Sequence, residues 1–301
     1  MPQSTYLMHS ATAQTTRDGR RSRSARRRSC LVTAAAAFAF GLLASVNYAQ
    51  SIPNARAQPS APAEGASGSA RNTGKPMIVL VHGGPADATG WQHVIRILER
   101  NGYTILTVQN PLDSFAGDVQ TTKRFIDAQD GPVVAVGHLF GGAVITAAAA
   151  GNANVRALVY VATFAPEADE PIGAYNDAYP SSLGTALGTD AAGFVYIDRT
   201  DFPDRATRDV STAEASVTAA TRKPVSGNAF GTSVEPTAWN TIPSWYRISR
   251  DDRAINPNLD RFYAKRMAAT TTEIKSSHVP FISHPEEVAR LIEQVATAVV
   301  K

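Results

Sequence analysis

Six short apolar runs, separated by helical patterns and chain breakers, constrain this chain more than any other feature. Residues 76–82 (PMIVLVH), 103–109, 133–138, 155–163 (VRALVYVAT), 242–249 and 271–276 read as strands. The first is apolar and β-branched almost throughout, the mark of a strand buried on both faces. Between these runs the period changes. Residues 91–100 place Val94, Ile95, Ile97 and Leu98 at helical spacing, and Asn101-Gly102 ends the pattern. Residues 117–129 predict an amphipathic helix with Val119, Phe125 and Ile126 inward, before the breaker Gly131-Pro132. Residues 141–150 form a small-residue helix, 258–269 another, and 284–299 a closing one with Val288, Leu291, Ile292 and Val295 on one face. Strands that alternate with helices must run mostly parallel, because each parallel pair needs a crossover. The expected class is therefore α/β, a mostly parallel sheet of about six strands with helices on both faces. Residues 164–241, lacking the alternation, read as a cap insert.

The charge is unevenly placed. Residues 1–57 carry eight arginines, no lysine and one acid, a net +7; the whole chain is +3, so the remainder is −4. A mildly acidic body argues against nucleic-acid binding. The basic segment ends in Arg26-Arg27-Arg28-Ser29-Cys30-Leu31 and is followed by sixteen mostly apolar residues, 31–46. That is short of the roughly 20 residues a membrane-spanning helix needs, and it suits an export signal. The paired arginines make the signal twin-arginine-like, with an ordinary secretory signal as the alternative. Ala55-Arg56-Ala57 is the best cleavage site and Ala49 the second. The expected organisation is an export signal over 1–57, a flexible Ala/Pro/Gly/Ser-rich linker over 58–74, and one folded domain over 75–301 with its cap at about 164–241. Such a protein is exported, periplasmic or secreted, and meets a membrane only through an uncleaved signal. Cys30 is the only cysteine, and it lies in the signal, so the mature chain has no disulfide and no thiol nucleophile.

Function in parallel sheets sits at the carboxyl ends of the strands. The third run ends in Gly137-His138-Leu139-Phe140-Gly141-Gly142. Between a strand and a small-residue helix, this is the G-x-S-x-G nucleophile elbow with Leu139 at the serine position. Such a turn strains its central residue, requires Gly137 and Gly141, and aims the Phe140 N–H at a substrate oxygen. The first run ends in His82-Gly83-Gly84-Pro85, where the Gly84 N–H is placed to be the second donor of an oxyanion hole and His82 to organise the loop. The fifth run is followed by Arg250-Asp251-Asp252-Arg253, and the last by Ser276-Ser277-His278-Val279-Pro280. Asp252, with Asp251 as runner-up, is the acid that would orient an imidazole. His278 is the general base, in the chain order nucleophile, acid, base. His93 and His138 are expected to pack, and His284 to stay at the surface or cap the last helix. Ser276 and Ser277 adjoin His278 and are the substitute nucleophiles to consider. Neither metal-ligand spacing nor a dinucleotide fingerprint occurs, so no metal and no cofactor is expected.

These segments resemble the bacterial α/β-hydrolases of the esterase and hydroxynitrile-lyase-like group, which also includes plant methylesterases. The likeness runs through IVLVHGG, VQNPL, GPVVAVGH, ALVYVATFAP, PSWY, DDRAINP and KRMAATTTEIKSSHVPFISHP, over about residues 76–290. It implies the α/β-hydrolase fold and ester or related carbonyl chemistry on a small-molecule ligand. It carries the acid role to Asp252, the base role to His278 and the oxyanion-hole role to the amides of Gly84 and Phe140. It carries no nucleophile role to Leu139, since an isobutyl group has no lone pair. The expectation is a hydrolase scaffold with ordinary serine-ester hydrolysis impaired. The alternatives are a non-catalytic small-ligand-binding protein and an enzyme that moves protons with the His278–Asp252 dyad alone.

Overall fold

The computed structural model describes residues 74–300; the expected export signal and nearly all of the linker lie outside the described residues. The body follows the order β1 (Met77–Val81), α1 (Gln92–Arg100), β2 (Ile105–Val108), α2 (Phe115–Asp127), β3 (Val133–Leu139), α3 (Phe140–Ala148) and β4 (Val155–Thr163). An insert follows, with β5 (Leu187–Thr189), β6 (Phe194–Ile197), α4 (Phe202–Ala206), α5 (Thr212–Ala220) and β7 (Val225–Ser226). The body resumes with β8 (Ser244–Ser249), α6 (Pro257–Arg266), β9 (Thr270–Ile274), α7 (Pro280–Ser283) and α8 (Pro285–Ala298). Six strands form one sheet in the order β2-β1-β3-β4-β8-β9, and every neighbouring pair is parallel. Among the described residues no helix is long and apolar enough to cross a membrane.

The two-residue period of the strands divides the core. Val79, Val81, Ala135, Leu158, Tyr160, Tyr246 and Ile248 face one way, against Phe115 and Ile126 of α2, the apolar residues of α3, and Leu259 and Tyr263 of α6. Ile78, Leu80, Val134, Val136, Val159 and Val161 face the other, against Val94 and Leu98 of α1 and Val288, Leu291, Ile292 and Val295 of α8. Each central strand is covered on both faces, which is why its sequence is apolar without alternation.

One expectation needs correction. Phe125 does not point inward; it is 36% exposed. The buried stripe of α2 runs through Phe115, Asp118, Thr122 and Ile126, and residue 125 falls beside it. The stripe holds two polar residues because they have polar work: Asp118 Oδ1 accepts from the Leu112 N–H at 2.9 Å, and Thr122 Oγ1 donates to Asn110 Oδ1 at 3.2 Å. The insert also has a sheet of its own, β5-β6-β7, antiparallel throughout. Strands of three, four and two residues are too short to print a period.

Candidate active site

β3 runs into α3 without a connecting residue, and the turn falls on Leu139. Its backbone lies at φ 50°, ψ −117°, a region that costs a non-glycine residue on the order of 1–3 kcal/mol. The surroundings fix it there. The Leu139 carbonyl accepts from the Phe164 N–H at 3.1 Å and from the Thr163 hydroxyl. The flanking glycines are sterically required. A Cβ on Gly137 would lie 2.6 Å from the Gly141 carbonyl oxygen, and one on Gly141 would lie 2.6 Å from the carbonyl oxygens of Val81 and His82. Gly142 is tighter still, with Thr163 Oγ1 at 1.9 Å and the Phe164 carbonyl oxygen at 2.7 Å from its hypothetical Cβ. The Phe140 N–H opens α3 and, like every first-turn amide, has no acceptor within its own helix.

β8 and β9 are neighbours, so the loops that follow them bring Asp252 and His278 together. Asp252 Oδ2 accepts from His278 Nδ1 at 2.8 Å, and the two side chains are 0% and 2% exposed. Asp252 Oδ1 takes the N–H groups of Ala254 at 2.7 Å and Ile255 at 3.0 Å. Three donors on one buried carboxylate lock its orientation. A carboxylate only accepts, so the shared proton sits on His278 Nδ1 and the lone pair on Nε2. That Nε2 is buried and has no hydrogen-bond partner among the described residues. Asp251, the runner-up, is exposed.

His82 does organise its loop: Nδ1 donates to the Gly83 carbonyl at 2.8 Å, and Nε2 accepts from the Asn110 N–H at 3.1 Å. Burial holds its pKa below the ordinary value. His138 packs as expected, its ring 4.6 Å from Phe281 and 4.5 Å from His278. It also donates from Nε2 to the His278 carbonyl at 3.1 Å, a clamp that its sequence position did not announce. Burial, and then the neighbouring His278, hold it neutral well below the usual histidine range. His93 is more than a packing residue, because its Nε2 pairs with Glu214 of α5. His284 precedes α8 without a side-chain cap and lies 3.5 Å from Asp209.

The two neighbouring serines are committed elsewhere. Ser277 Oγ bonds Asp209 and the Ala206 carbonyl, and its N–H donates to Asp209 Oδ2 at 3.0 Å. Ser276 Oγ donates to the Ser277 carbonyl at 2.9 Å. Asp209 thus ties the insert to the loop that carries His278. Sequence reasoning missed it, since a single aspartate in an aperiodic stretch gives no signal.

A cavity of about 390 Å³ lies under the insert. Gly84 and Leu139 contribute to its wall from the body, and Phe164, Leu183, Val225 and Phe230 line it from the insert side. Of the insert aromatics, Phe164 and Phe230 line the cavity. Tyr175 and Tyr179 instead pack on Phe262, at 4.9 and 5.9 Å, Trp239 donates to the Pro166 carbonyl at 3.1 Å, and Tyr196 is exposed. His278 and Ser276–Ser277 are not part of the cavity wall. Among the described residues no cluster of His, Cys, Asp or Glu could hold a metal.

Comparison with known proteins agrees with this architecture. The chain is 24% identical over 253 residues to the alpha/beta hydrolase nvfD of Aspergillus novofumigatus (strain IBT 16806), covering 74% of this chain and 97% of that protein. Among solved structures it is similar to polyneuridine aldehyde esterase (TM-score 0.66, 18% identity, 73% of this chain and 99% of that one). It is also similar to a pyrethroid hydrolase from Sphingobium faniae JZ-2 (TM-score 0.63, 20% identity, 74% and 98%). A third is tomato methylketone synthase I complexed with 2-tridecanone (TM-score 0.66, 14% identity, 75% and 99%). These likenesses are to the fold. The sequence profile of the alpha/beta hydrolase family matches residues 78–291, most of the chain and nearly all of the described part, and the chain belongs to that family.

Proposed function

We propose that this protein is an ester-hydrolase scaffold that keeps its acid–base pair and oxyanion-binding amides but has no nucleophile. It takes an uncharged ester or carbonyl compound into the cavity above Leu139 and does not turn it over through an acyl-enzyme. In this reading Asp252 orients His278, His278 Nε2 is the base, and the amides of Gly84 and Phe140 receive the substrate oxygen. The observation that carries it is the orphaned, buried Nε2 of His278 beside an elbow whose strained apex is occupied by leucine. A buried acceptor left without a donor costs about 1–3 kcal/mol. In this reading a hydroxyl at residue 139 would be its donor.

The largely apolar lining of the cavity, with Asn176, Asp177 and Ser181 as its polar members, supports binding without turnover as the working consequence. Proton transfer by the dyad alone would need His278 to face a ligand in this cavity, and His278 does not contribute to its wall. Export through the basic N-terminal segment belongs to the same proposal. Labelling with a fluorophosphonate tests the core of it. The native protein should take up no adduct, and Leu139→Ser should be phosphonylated at residue 139. Stoichiometric labelling of the native protein would overturn the reading.

A further inference from the structure

A second cavity, of about 220 Å³, lies between the body and α5 and shares no wall residue with the cavity above Leu139. Trp91 and Phe281 form an apolar part of its wall, in ring contact with each other at 4.4 Å. Val217 of α5 is an outer wall residue. Three charged residues also line it: Asp87, Glu214 and Arg222. Both acids are already engaged. Glu214 pairs with His93, and Asp87 Oδ1 accepts from the Thr89 N–H at 2.9 Å and from the Thr89 hydroxyl.

Arg222 is not engaged in this way. Its guanidinium lies 4.2 Å over the Phe202 ring, and its Nε is buried without a hydrogen-bond partner. No carboxylate among the described residues lies within ion-pair distance of it. Burial pushes its pKa down to about 9, with Asp87 pulling it back up. It is still a cation at neutral pH. Beyond the Phe202 ring and the longer-range pull of Asp87, this partly desolvated cation has no ion-pair partner; a carboxylate presented to its planar fork would supply one through two charge-assisted bonds.

We propose that this second cavity is a binding site for a small monocarboxylate with an aryl or short alkyl body, its carboxylate on Arg222 and its apolar part against Trp91 and Phe281. The size agrees. About 220 Å³ is room for one aromatic ring with its carboxylate. The site lies beside the elbow, since His138 and Gly83 line it too, yet it needs neither Leu139 nor the Asp252–His278 pair. It therefore stands or falls independently of the hydrolase reading.

Isothermal titration calorimetry of the full chain with sodium benzoate, and with benzamide as the neutral probe, tests it. Benzoate should bind one to one, at least tenfold more tightly than benzamide, and more weakly as salt is raised. Arg222→Gln should bring benzoate down to the benzamide level. Val217→Trp changes a residue that is 61% exposed, so the fold tolerates it; it should fill the cavity and reduce benzoate affinity by the same order. Leu183→Trp narrows the cavity above Leu139 and should leave benzoate binding unchanged. Absence of benzoate binding in the native protein, equal affinity in Arg222→Gln, or loss confined to Leu183→Trp would each overturn the proposal.

Discussion

Leu139 can be replaced by alanine or by glycine, and the order of stability of the two variants reports on the elbow. Leu139 is 3% exposed. Truncating a buried leucine to alanine costs about 2–5 kcal/mol, and because this side chain borders a cavity the low end, about 2 kcal/mol, applies. Going on from alanine to glycine ordinarily costs a further 0.5–1 kcal/mol or so in chain entropy. At φ 50°, ψ −117° the opposite term is larger. Glycine relieves a backbone strain on the order of 1–3 kcal/mol. Leu139→Gly should therefore be about 1 kcal/mol more stable than Leu139→Ala, a reversal of the usual order. For a domain of this size that corresponds to about 2–4 °C in Tm. Urea unfolding followed by tryptophan fluorescence, with equal m-values in the two variants, measures the difference. An alanine variant as stable as the glycine variant, or more so, would refute the claim that the elbow is strained.

Other consequences can be checked beside it. Gly142→Ala puts a methyl group 1.9 Å from Thr163 Oγ1 and 2.7 Å from the Phe164 carbonyl oxygen. It should cost about 3 kcal/mol or more, and a variant within 1 kcal/mol or so of the parent would contradict the packing described. Asp118 has its pKa raised to about 6 from 3.8, chiefly by burial. A raised carboxylate favours the fold while protonated, so this contribution is complete below about pH 4 and is lost as the pH rises through about 6. A shift of that size corresponds to about 3 kcal/mol. Asp118→Asn should gain that much relative to the native protein between pH 4 and pH 8, whereas a constant difference across that range would sink the assignment.

The body was legible because its physics is regular. A strand buried on both faces must be apolar at every position, so residues 76–82 and 133–138 announce themselves. A turn with no room for a Cβ must be glycine, so Gly137, Gly141 and Gly142 mark the end of β3. Chain order put an acid and a histidine after neighbouring strands, and the 2.8 Å Asp252–His278 bond follows from that adjacency. What was not legible depends on contacts distant in sequence. Phe125 is exposed because Asp118 and Thr122 take the buried stripe to satisfy loop residues 110 and 112. Asp209 holds the His278 loop from 68 positions away, and nothing local in the insert signals it. Arg222 looks like any surface arginine until α5 is set against the turn before α1.

Hydrolysis of p-nitrophenyl acetate and butyrate by the native protein, beside its Leu139→Ser variant, decides whether the missing hydroxyl is what disables the site. Loss of a catalytic nucleophile typically costs several orders of magnitude in rate. The native protein should show only background hydrolysis, and a hydroxyl at residue 139 should raise kcat/KM by at least about 100-fold, a gain abolished by adding His278→Ala. Native turnover equal to that of Leu139→Ser, or a Leu139→Ser variant that folds normally and shows no gain, would contradict it.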